Sequence, residues 1–477
     1  MHVPVTGIVL LPLTVLVFLL WPSRLEELLI YMAVFEAAAV LNVGGGFSFG
    51  LSPYFFTATL LAARAGPKWI NGRIRFQRGE FVQNHLQIAI FFVAWCVISA
   101  FVLPILFEGT PVDSPRAGAE AVFYLALPLR WSFSNAGQAG YMVLNFFVLL
   151  AFADVRARHQ LEPLMDAFTY SGVIVLLVAF YQVMAYRFGL PFPDWLFNSN
   201  GTYAQNYNQM IGAGWHRVSA TFVEPSSAGG FLSCWLLFEL MLANWGSTKR
   251  TLHWIFGMCG CVALLATTSS TGYVTVSLVL AFMVGRITFE VIGRGRIPIR
   301  ISITIATIVA AGILFLVFGH HAALLDAVLW DKAGSSSGVG RWQTVRHAFA
   351  VMKNTYGLGA GLGSNRAFGT LAYIGSNLGI FGLIVFSYML AHLFRNTFSY
   401  LRSSPTSTTD HVAVIACAAA FAANLLSMVI SGAEISNPRN WVLWGILLAS
   451  LRAQTSVVLS EPDQVLELSD RNALRRV

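Results

Sequence analysis

Apolar stretches long enough to cross a membrane recur along nearly the whole chain, from Val5 to Leu451. A transmembrane helix needs about 20 predominantly apolar residues. Here 56% of the residues are hydrophobic and only 11% are charged, whereas soluble proteins carry roughly 25% charged residues. The pattern predicts a polytopic membrane protein. It excludes a disulfide scaffold, a coiled coil, a disordered chain and a domain that binds nucleic acid.

Ten of these stretches are clear spans, and none alternates with the two-residue period of a barrel strand, so the spans are predicted to be helices. Two or three more are expected in residues 1–63, where Gly44-Gly45-Gly46 fits either a turn between two spans or a break inside one. The prediction is an all-α fold with about 12–13 transmembrane helices. The ten clear spans lie at about 85–107, 138–153, 166–186, 226–243, 252–267, 272–290, 301–319, 372–394, 411–431 and 440–452.

The basic residues predict which side of the membrane each loop faces. Of the 30 Lys and Arg residues, 19 fall in loops on one side of the predicted spans, and cytoplasmic loops retain positive charge. That side is therefore predicted to be cytoplasmic. Residues 1–455 form a single integral membrane domain in this reading, followed by a cytoplasmic tail at 456–477. An even number of spans would place the N-terminus inside as well.

This orientation leaves three long loops outside, at about 108–137, 187–225 and 320–371. Long loops on a rigid scaffold often carry binding and catalytic residues. The positive charge of these loops is almost all arginine, whose planar fork suits phosphate or carboxylate. The whole chain has 26 Arg and only 4 Lys, so the use of arginine in place of lysine is weak evidence for a binding site. The position of the arginines in the outer loops is stronger evidence.

The segment from Arg217 to Gly230 leads directly into the span predicted near Ser226. Pro225 suits the first turn of a helix, and the free amides of that turn favour an anion. Glu224 fits two roles: it caps the helix through its charge, or it acts as a general base for an acceptor hydroxyl.

A second outer segment, residues 335–366, combines an apolar stripe with two arginines and a glycine run. The stripe recurs at helical spacing and predicts an amphipathic helix on the membrane surface. Arg341 and Arg346 are five residues apart, about 140° around a helix, so they face one small anion only if the first turn is unwound. The glycines from Gly357 to Gly363 fit an anion-binding nest of amides or a flexible connector. The stripe consists of Trp342, Val345, Phe349 and Met352.

A reaction on the outer face has no ATP and must use energy stored in its substrate, such as a sugar linked through pyrophosphate to a polyprenyl lipid. A pyrophosphate leaving group needs a divalent metal or fixed cations. The outer loops contain no Asp-x-Asp pair, so we expect no metal or other cofactor, and arginines as the cations. Glu224 is the best-placed general base, and His320, His321 and His347 are weaker candidates.

The order of the outer motifs, over about residues 210–385, resembles the O-antigen ligase and polysaccharide polymerase family of bacterial inner membranes. Arg346 and Gly357 also match the Arg-x10-Gly pattern of the polymerase branch. No histidine lies between His347 and His392, where ligases of the family have one, which favours the polymerase. The motifs are Thr-Phe-x-Glu-Pro-Ser-x-x-Gly at 221–229, Thr267–Gly272, Gly340-Arg341-x4-Arg346, Gly359-x-Gly361-x-Gly363 and Leu378-Gly379-Ile-Phe-Gly382.

The resemblance implies the fold of membrane glycosyltransferases that use lipid-linked sugars, and metal-independent polymerisation of repeat units into an exopolysaccharide or O-antigen. It implies a polyprenyl-pyrophosphate-linked oligosaccharide as substrate, bound by Arg217, Arg341, Arg346 and Arg366. The lipid bilayer and other polysaccharide assembly proteins are the further partners. The alternatives are a ligase that transfers the glycan to a final acceptor, a lipid or polysaccharide transporter, and a scaffold without activity.

Overall fold

The computed structural model is mostly helical, which confirms the predicted all-α class. In the residues that it describes, six helices are long and apolar enough to cross a membrane, and three shorter helices are also apolar. The described residues are 1–44, 49–74, 76, 80–113, 126–155, 158–201, 210–211, 215–245, 249–294, 302, 305–306, 309, 336–403, 409–431 and 434–452.

The described part of the chain contains the helices given below in chain order, with three small hairpins between some of them. The helices are α1 Val5–Leu20, α2 Leu25–Met32, α3 Pro53–Ile70, α4 Phe81–Leu106, α5 Phe133–Ala153, α6 Arg158–Phe188, α7 Asp194–Phe197, α8 Pro225–Trp245, α9 Arg250–Ala266, α10 Ser270–Arg294, α11 Ser336–Asn354, α12 Thr370–Ser403, α13 Thr409–Ile430 and α14 at 438–452. The hairpins pair β1 Leu41–Val43 with β2 Phe49–Leu51, β3 Pro111–Asp113 with β4 Ala126–Pro128, and β5 Met210–Ile211 with β6 Trp215–His216, all antiparallel.

Nine of the ten clear spans predicted from hydropathy coincide with helices: α4, α5, α6, α8, α9, α10, α12, α13 and α14. Most of the tenth, at 301–319, lies outside the described residues. Of the glycine run at 44–46, Gly44 follows β1, and Gly45 and Gly46 lie outside the described residues; the strands on either side, β1 and β2, pair with each other between α2 and α3. The total of 12–13 transmembrane helices stays a prediction.

Helix α8 lies at the centre of the bundle, and 89% of its most apolar stretch is buried. A helix that is apolar all round belongs inside a protein. Its Trp235 is fully buried and donates to the Thr169 carbonyl oxygen at 3.0 Å. Gly172 of α6 and Gly260 of α9 make room for the indole, because an added Cβ would lie 2.0 Å and 2.9 Å from its ring atoms.

The two ends of the bundle differ in their contacts. At one end Arg452 pairs with Glu80 at 2.8 Å, and Lys249 pairs with Asp166 at 3.0 Å. At the other, which we call the loop end, α4 ends and α5 and α8 begin. The segments of the loop end hold one another, since Asn135 donates to the Leu362 carbonyl oxygen at 2.7 Å.

The N-terminal residues lie at the loop end, opposite Arg452. His2 forms a bridge with Asn42, whose side chain donates to the Ser199 carbonyl oxygen at 2.7 Å.

Candidate functional site

Arg217 is held by the turn between α9 and α10. Its Nε donates to the Thr268 hydroxyl at 3.1 Å, and Nη2 donates to the Thr268 carbonyl oxygen at 3.4 Å. Thr268 has a φ of +46°, which is rare for a β-branched residue. The Thr267–Gly272 motif therefore forms a constrained turn that orients Arg217.

Glu224 lies beside Arg217 and Arg341 at the start of α8. Its carbonyl oxygen accepts from the Ala228 amide at 3.1 Å, and its carboxylate accepts from the Ser226 hydroxyl at 2.8 Å. Burial lowers the pKa of both Arg217 and Arg341, and the negative charge of Glu224 acts on both in the opposite direction. One carboxylate thus interacts with two partly buried guanidinium groups. The three groups together carry a net positive charge, which can attract an anion.

Arg341 and Arg346 lie on different faces of α11. The helix begins at Ser336, so its first turn is not unwound before Arg341. The Arg341 guanidinium lies 5.1 Å from the centre of the Phe368 ring, and its buried Nε has no hydrogen-bond partner within the described residues. Arg346 is exposed. The structure therefore brings Arg341 to Arg217 and Glu224, and it does not bring Arg346 there.

The rest of α11 has the amphipathic character predicted from its sequence. Thr344, Ala348 and Val351 are buried against the protein. Trp342 and Phe349 of the predicted stripe are 64% and 59% exposed. An exposed aromatic stripe on a helix at the bundle end suits an interfacial membrane contact.

The glycine run after α11 is poorly suited to an anion-binding nest, because its amides from Gly357 to Gly361 donate to groups of the protein. The amides of Ala360 and Gly361 donate to the carbonyl oxygens of Ser376 and Asn377 at 2.8 and 2.9 Å. The amides of Ser364 and Asn365 donate to the Asn377 side chain at 3.1 and 3.0 Å. Asn377 thus holds the loop that leads to Arg366.

Arg366 lies between two acidic groups at the loop end. Its amide donates to the Asp113 carbonyl oxygen at 2.8 Å. Its charge acts on the carboxylates of Asp113 and Glu434. Burial raises the pKa of Asp113 to about 6, and Arg366 opposes that rise. Arg366 therefore belongs to the same end of the bundle as Arg217 and Arg341, on the side of Glu434.

Two residues that the sequence did not single out for the site connect these groups: Glu36, after α2, and Arg439, in α14. Arg439 is only 8% exposed and donates to the Asn424 side chain at 2.7 Å and to the Ser227 carbonyl oxygen at 3.0 Å. Glu36 interacts electrostatically with Arg439, Glu224 and Glu434. Glu36 lies inside an apolar stretch and Arg439 directly precedes the last predicted span, and these positions were the available signals.

A cavity opens beside these charges. It is lined by both carboxylates, Glu36 and Glu434, together with aromatic, hydroxyl and amide side chains. In the described part of the chain, no group of three or more His, Cys, Asp or Glu side chains is arranged to hold a metal ion. Independence from a metal or other cofactor stays a prediction.

The role of the three histidines as weaker candidate bases stays a prediction. His320 and His321 lie outside the described residues. Burial lowers the pKa of His347, which is half-buried in α11.

No protein-family model matches the chain, and no curated protein matches it. The resemblance to the ligase and polymerase family therefore rests on the motifs alone, and the activity is a matter for proposal.

Proposed function

We propose that the protein is a glycosyltransferase that polymerises lipid-pyrophosphate-linked oligosaccharide repeat units into a surface polysaccharide. The observation that carries this proposal is the arginine cluster, which consists of Arg217, Arg341 and Arg366 gathered near Glu224 and Glu434 at one end of an apolar helix bundle. The growing glycan leaves its polyprenyl pyrophosphate and joins the terminal sugar of another lipid-linked repeat.

The chemistry of the leaving group favours this assignment. As the glycosidic bond to phosphate breaks, negative charge develops on the pyrophosphate, and preorganised cations stabilise that charge most where water is excluded. Arg217 and Arg341 are partly buried and held by the protein. The arginines lie at one end of an apolar bundle, so a lipid whose pyrophosphate binds there can keep its polyprenyl tail in the surrounding bilayer. Glu224 limits the repulsion between the two guanidinium groups.

The location follows from the same assignment. We place the protein in a bacterial inner membrane, with the loop end at the periplasmic face, the C-terminus in the cytoplasm and the fold of membrane glycosyltransferases that use lipid-linked sugars. Arg366 binds further along the substrate, near Glu434. Arg346 has at most a secondary role, because it is exposed on another face of α11.

The test uses purified protein in lipid nanodiscs with lipid-linked repeat units, scored by the ladder of polymer lengths. We expect Arg217→Ala and Arg341→Ala each to slow polymerisation roughly 10²- to 10³-fold, as for the loss of one donor to a developing anion. Lys at either position should restore part of the rate.

Arg130→Ala is the matched control. This arginine also lies at the loop end, and its exposed side chain is 3.9 Å from Glu108. Wild-type ladders from both cluster variants would refute the proposal. A ligase would instead show no ladder with repeat units alone and would transfer a finished glycan to a final acceptor.

A transporter is the second candidate, and one observation favours it. Glu239 of α8 and His253 of α9 form a buried pair at 2.6 Å within the bundle. Ionisable residues inside membrane segments often mark ion or substrate pathways. Lipid movement in protein-containing vesicles, lost in Glu239→Gln and without any ladder formation, would support the transporter.

A further inference from the structure

The segment that carries Glu36 is held rigidly although it is not helical. It follows α2, and the Ala37 amide donates to the Thr221 carbonyl oxygen at 3.2 Å. The Ala37 carbonyl oxygen accepts from the Asn200 amide at 3.1 Å, and the Thr221 hydroxyl donates to the Val34 carbonyl oxygen. These bonds tie Glu36 to the loop that contains Arg217 and Glu224.

The cavity beside Glu36 has a volume of about 40 Å³, so it has room for one edge of a sugar and not for the whole ring, and its walls suit that role. Glu36 and Glu434 supply carboxylates, Asn200 and Asn437 supply amides, and Tyr54 and Tyr141 supply aromatic surface. Small-molecule sites combine apolar and aromatic walls with a few placed polar groups. The electrostatic interaction between Glu36 and Glu224 indicates that the cavity adjoins the arginine cluster.

The groups around Glu36 come from each element that faces it. Arg439 of α14 attracts its charge, Glu224 and Glu434 repel it, and Ser227 of α8 hydrogen bonds to its carboxylate. The Asn437 side chain donates weakly to it at 3.5 Å. Burial raises the pKa of Glu36 to about 7, and the two neighbouring carboxylates add to the rise while Arg439 opposes it. A general base works best when its pKa lies near the operating pH.

Glu224 is less suited to the same task. It lies among two guanidinium groups and accepts the Ser226 hydroxyl. Those contacts occupy its carboxylate, and Glu224 is not among the residues that line the cavity. Its position suits the organisation of Arg217 and Arg341.

We propose that this cavity receives the reacting edge of the acceptor sugar and that Glu36, rather than Glu224, accepts the proton of the attacking hydroxyl. The proposal rests on the polymerase function proposed above. The hydroxyl oxygen forms a bond to the anomeric carbon of the donor while the bond from that carbon to the phosphate oxygen breaks. The electron pair leaves with the pyrophosphate, and the proton passes to the Glu36 carboxylate, which later releases it to water.

The experiment compares Glu36→Gln, Glu36→Asp and the control Glu108→Gln in the nanodisc assay. We expect Glu36→Gln to lower the rate of polymerisation about 10²- to 10⁴-fold and Glu36→Asp to retain part of it. The wild-type rate should fall as the pH drops through about 7, the pKa of Glu36, and the residual rate of Glu36→Gln should lack this dependence.

Binding of polyprenyl pyrophosphate separates the possible outcomes and reports on folding. Glu36→Gln should bind this probe as the wild type does, whereas Arg217→Ala should bind it more weakly. Polymerisation at the wild-type rate by Glu36→Gln, with Arg217→Ala defective, would overturn the role of Glu36 and leave the polymerase intact. Wild-type rates for both variants would overturn the polymerase as well. Loss of probe binding in Glu36→Gln would show that Glu36 serves the donor site and would also overturn the inference.

Discussion

Glu36→Gln is expected to make the protein more stable, and the gain should depend on pH. The pKa of Glu36 rises from 4.5 to about 7 in the folded chain. Between those values the folded state binds the proton that the unfolded state has released, so stability falls as the pH rises. The full cost is present above pH 7 and absent below about pH 4.5. Gln resembles the protonated carboxyl group and carries no such cost.

The size of the effect follows from the difference between the two pKa values. The difference between 4.5 and about 7, at about 1.36 kcal/mol per pKa unit, gives an upper value of about 3 kcal/mol. The lost attraction to Arg439 is already contained in this value, because it opposes the rise in pKa. Since Glu36 is only partly buried and borders the cavity, we expect a gain of about 2–3 kcal/mol at pH 8.

The measurement is the free energy of unfolding in mixed micelles titrated with sodium dodecyl sulfate, at pH 8 and at pH 4.5. Glu108→Gln serves as the control, because it removes an exposed carboxylate at the same end of the bundle. Glu36→Gln should gain stability at pH 8 and little at pH 4.5, and the control should change little at either pH. An equal or lower stability at pH 8 would refute the reasoning. A more stable but inactive variant fits a residue kept for function at the expense of stability.

Three further predictions concern the frame of the site. Gly379 has a φ of +72°, and an added Cβ there would lie 2.3 Å from a carbonyl oxygen. Gly379→Ala should therefore lower the free energy of unfolding by about 2–5 kcal/mol. The control Gly140→Ala, which has open space around it, should not lower it. Asn377→Ala leaves two buried amides without their acceptor and should cost about 2–5 kcal/mol by the same titration. In the ladder assay Arg341→Ala should slow polymerisation roughly tenfold or more relative to Arg346→Ala, and equal losses would contradict the placement of these arginines.

The helices were predictable because hydropathy is a local property. An apolar run of about 20 residues has few alternatives to a membrane helix, and nine clear spans coincide with helices. The spacing from Trp342 to Met352 likewise predicted α11, which spans Ser336–Asn354. The same spacing argument separated Arg341 from Arg346, and the structure keeps them on different faces.

The site was less predictable because its contacts join distant parts of the chain. Glu36 and Arg439 lie near opposite ends of the sequence and interact only once the bundle is assembled. The glycine run was open to an anion-binding interpretation because a sequence does not show which amides are already bonded. Asn377, from the next helix, takes two of the amides that follow the run.

The packing around the start of α8 explains the glycines of the motif that contains Glu224. A Cβ at Gly229 would lie 2.7 Å from the Ser269 Cβ, and a Cβ at Gly230 would lie 2.7 Å from Nη1 of Arg439. Only glycines let the turn that holds Arg217 and the helix that holds Arg439 approach α8 this closely. The glycines of the motif therefore do not by themselves indicate a polymerase. The charges that they help to bring together, Arg217 beside Glu224 and Arg439 beside Glu36, are what the proposed reaction requires.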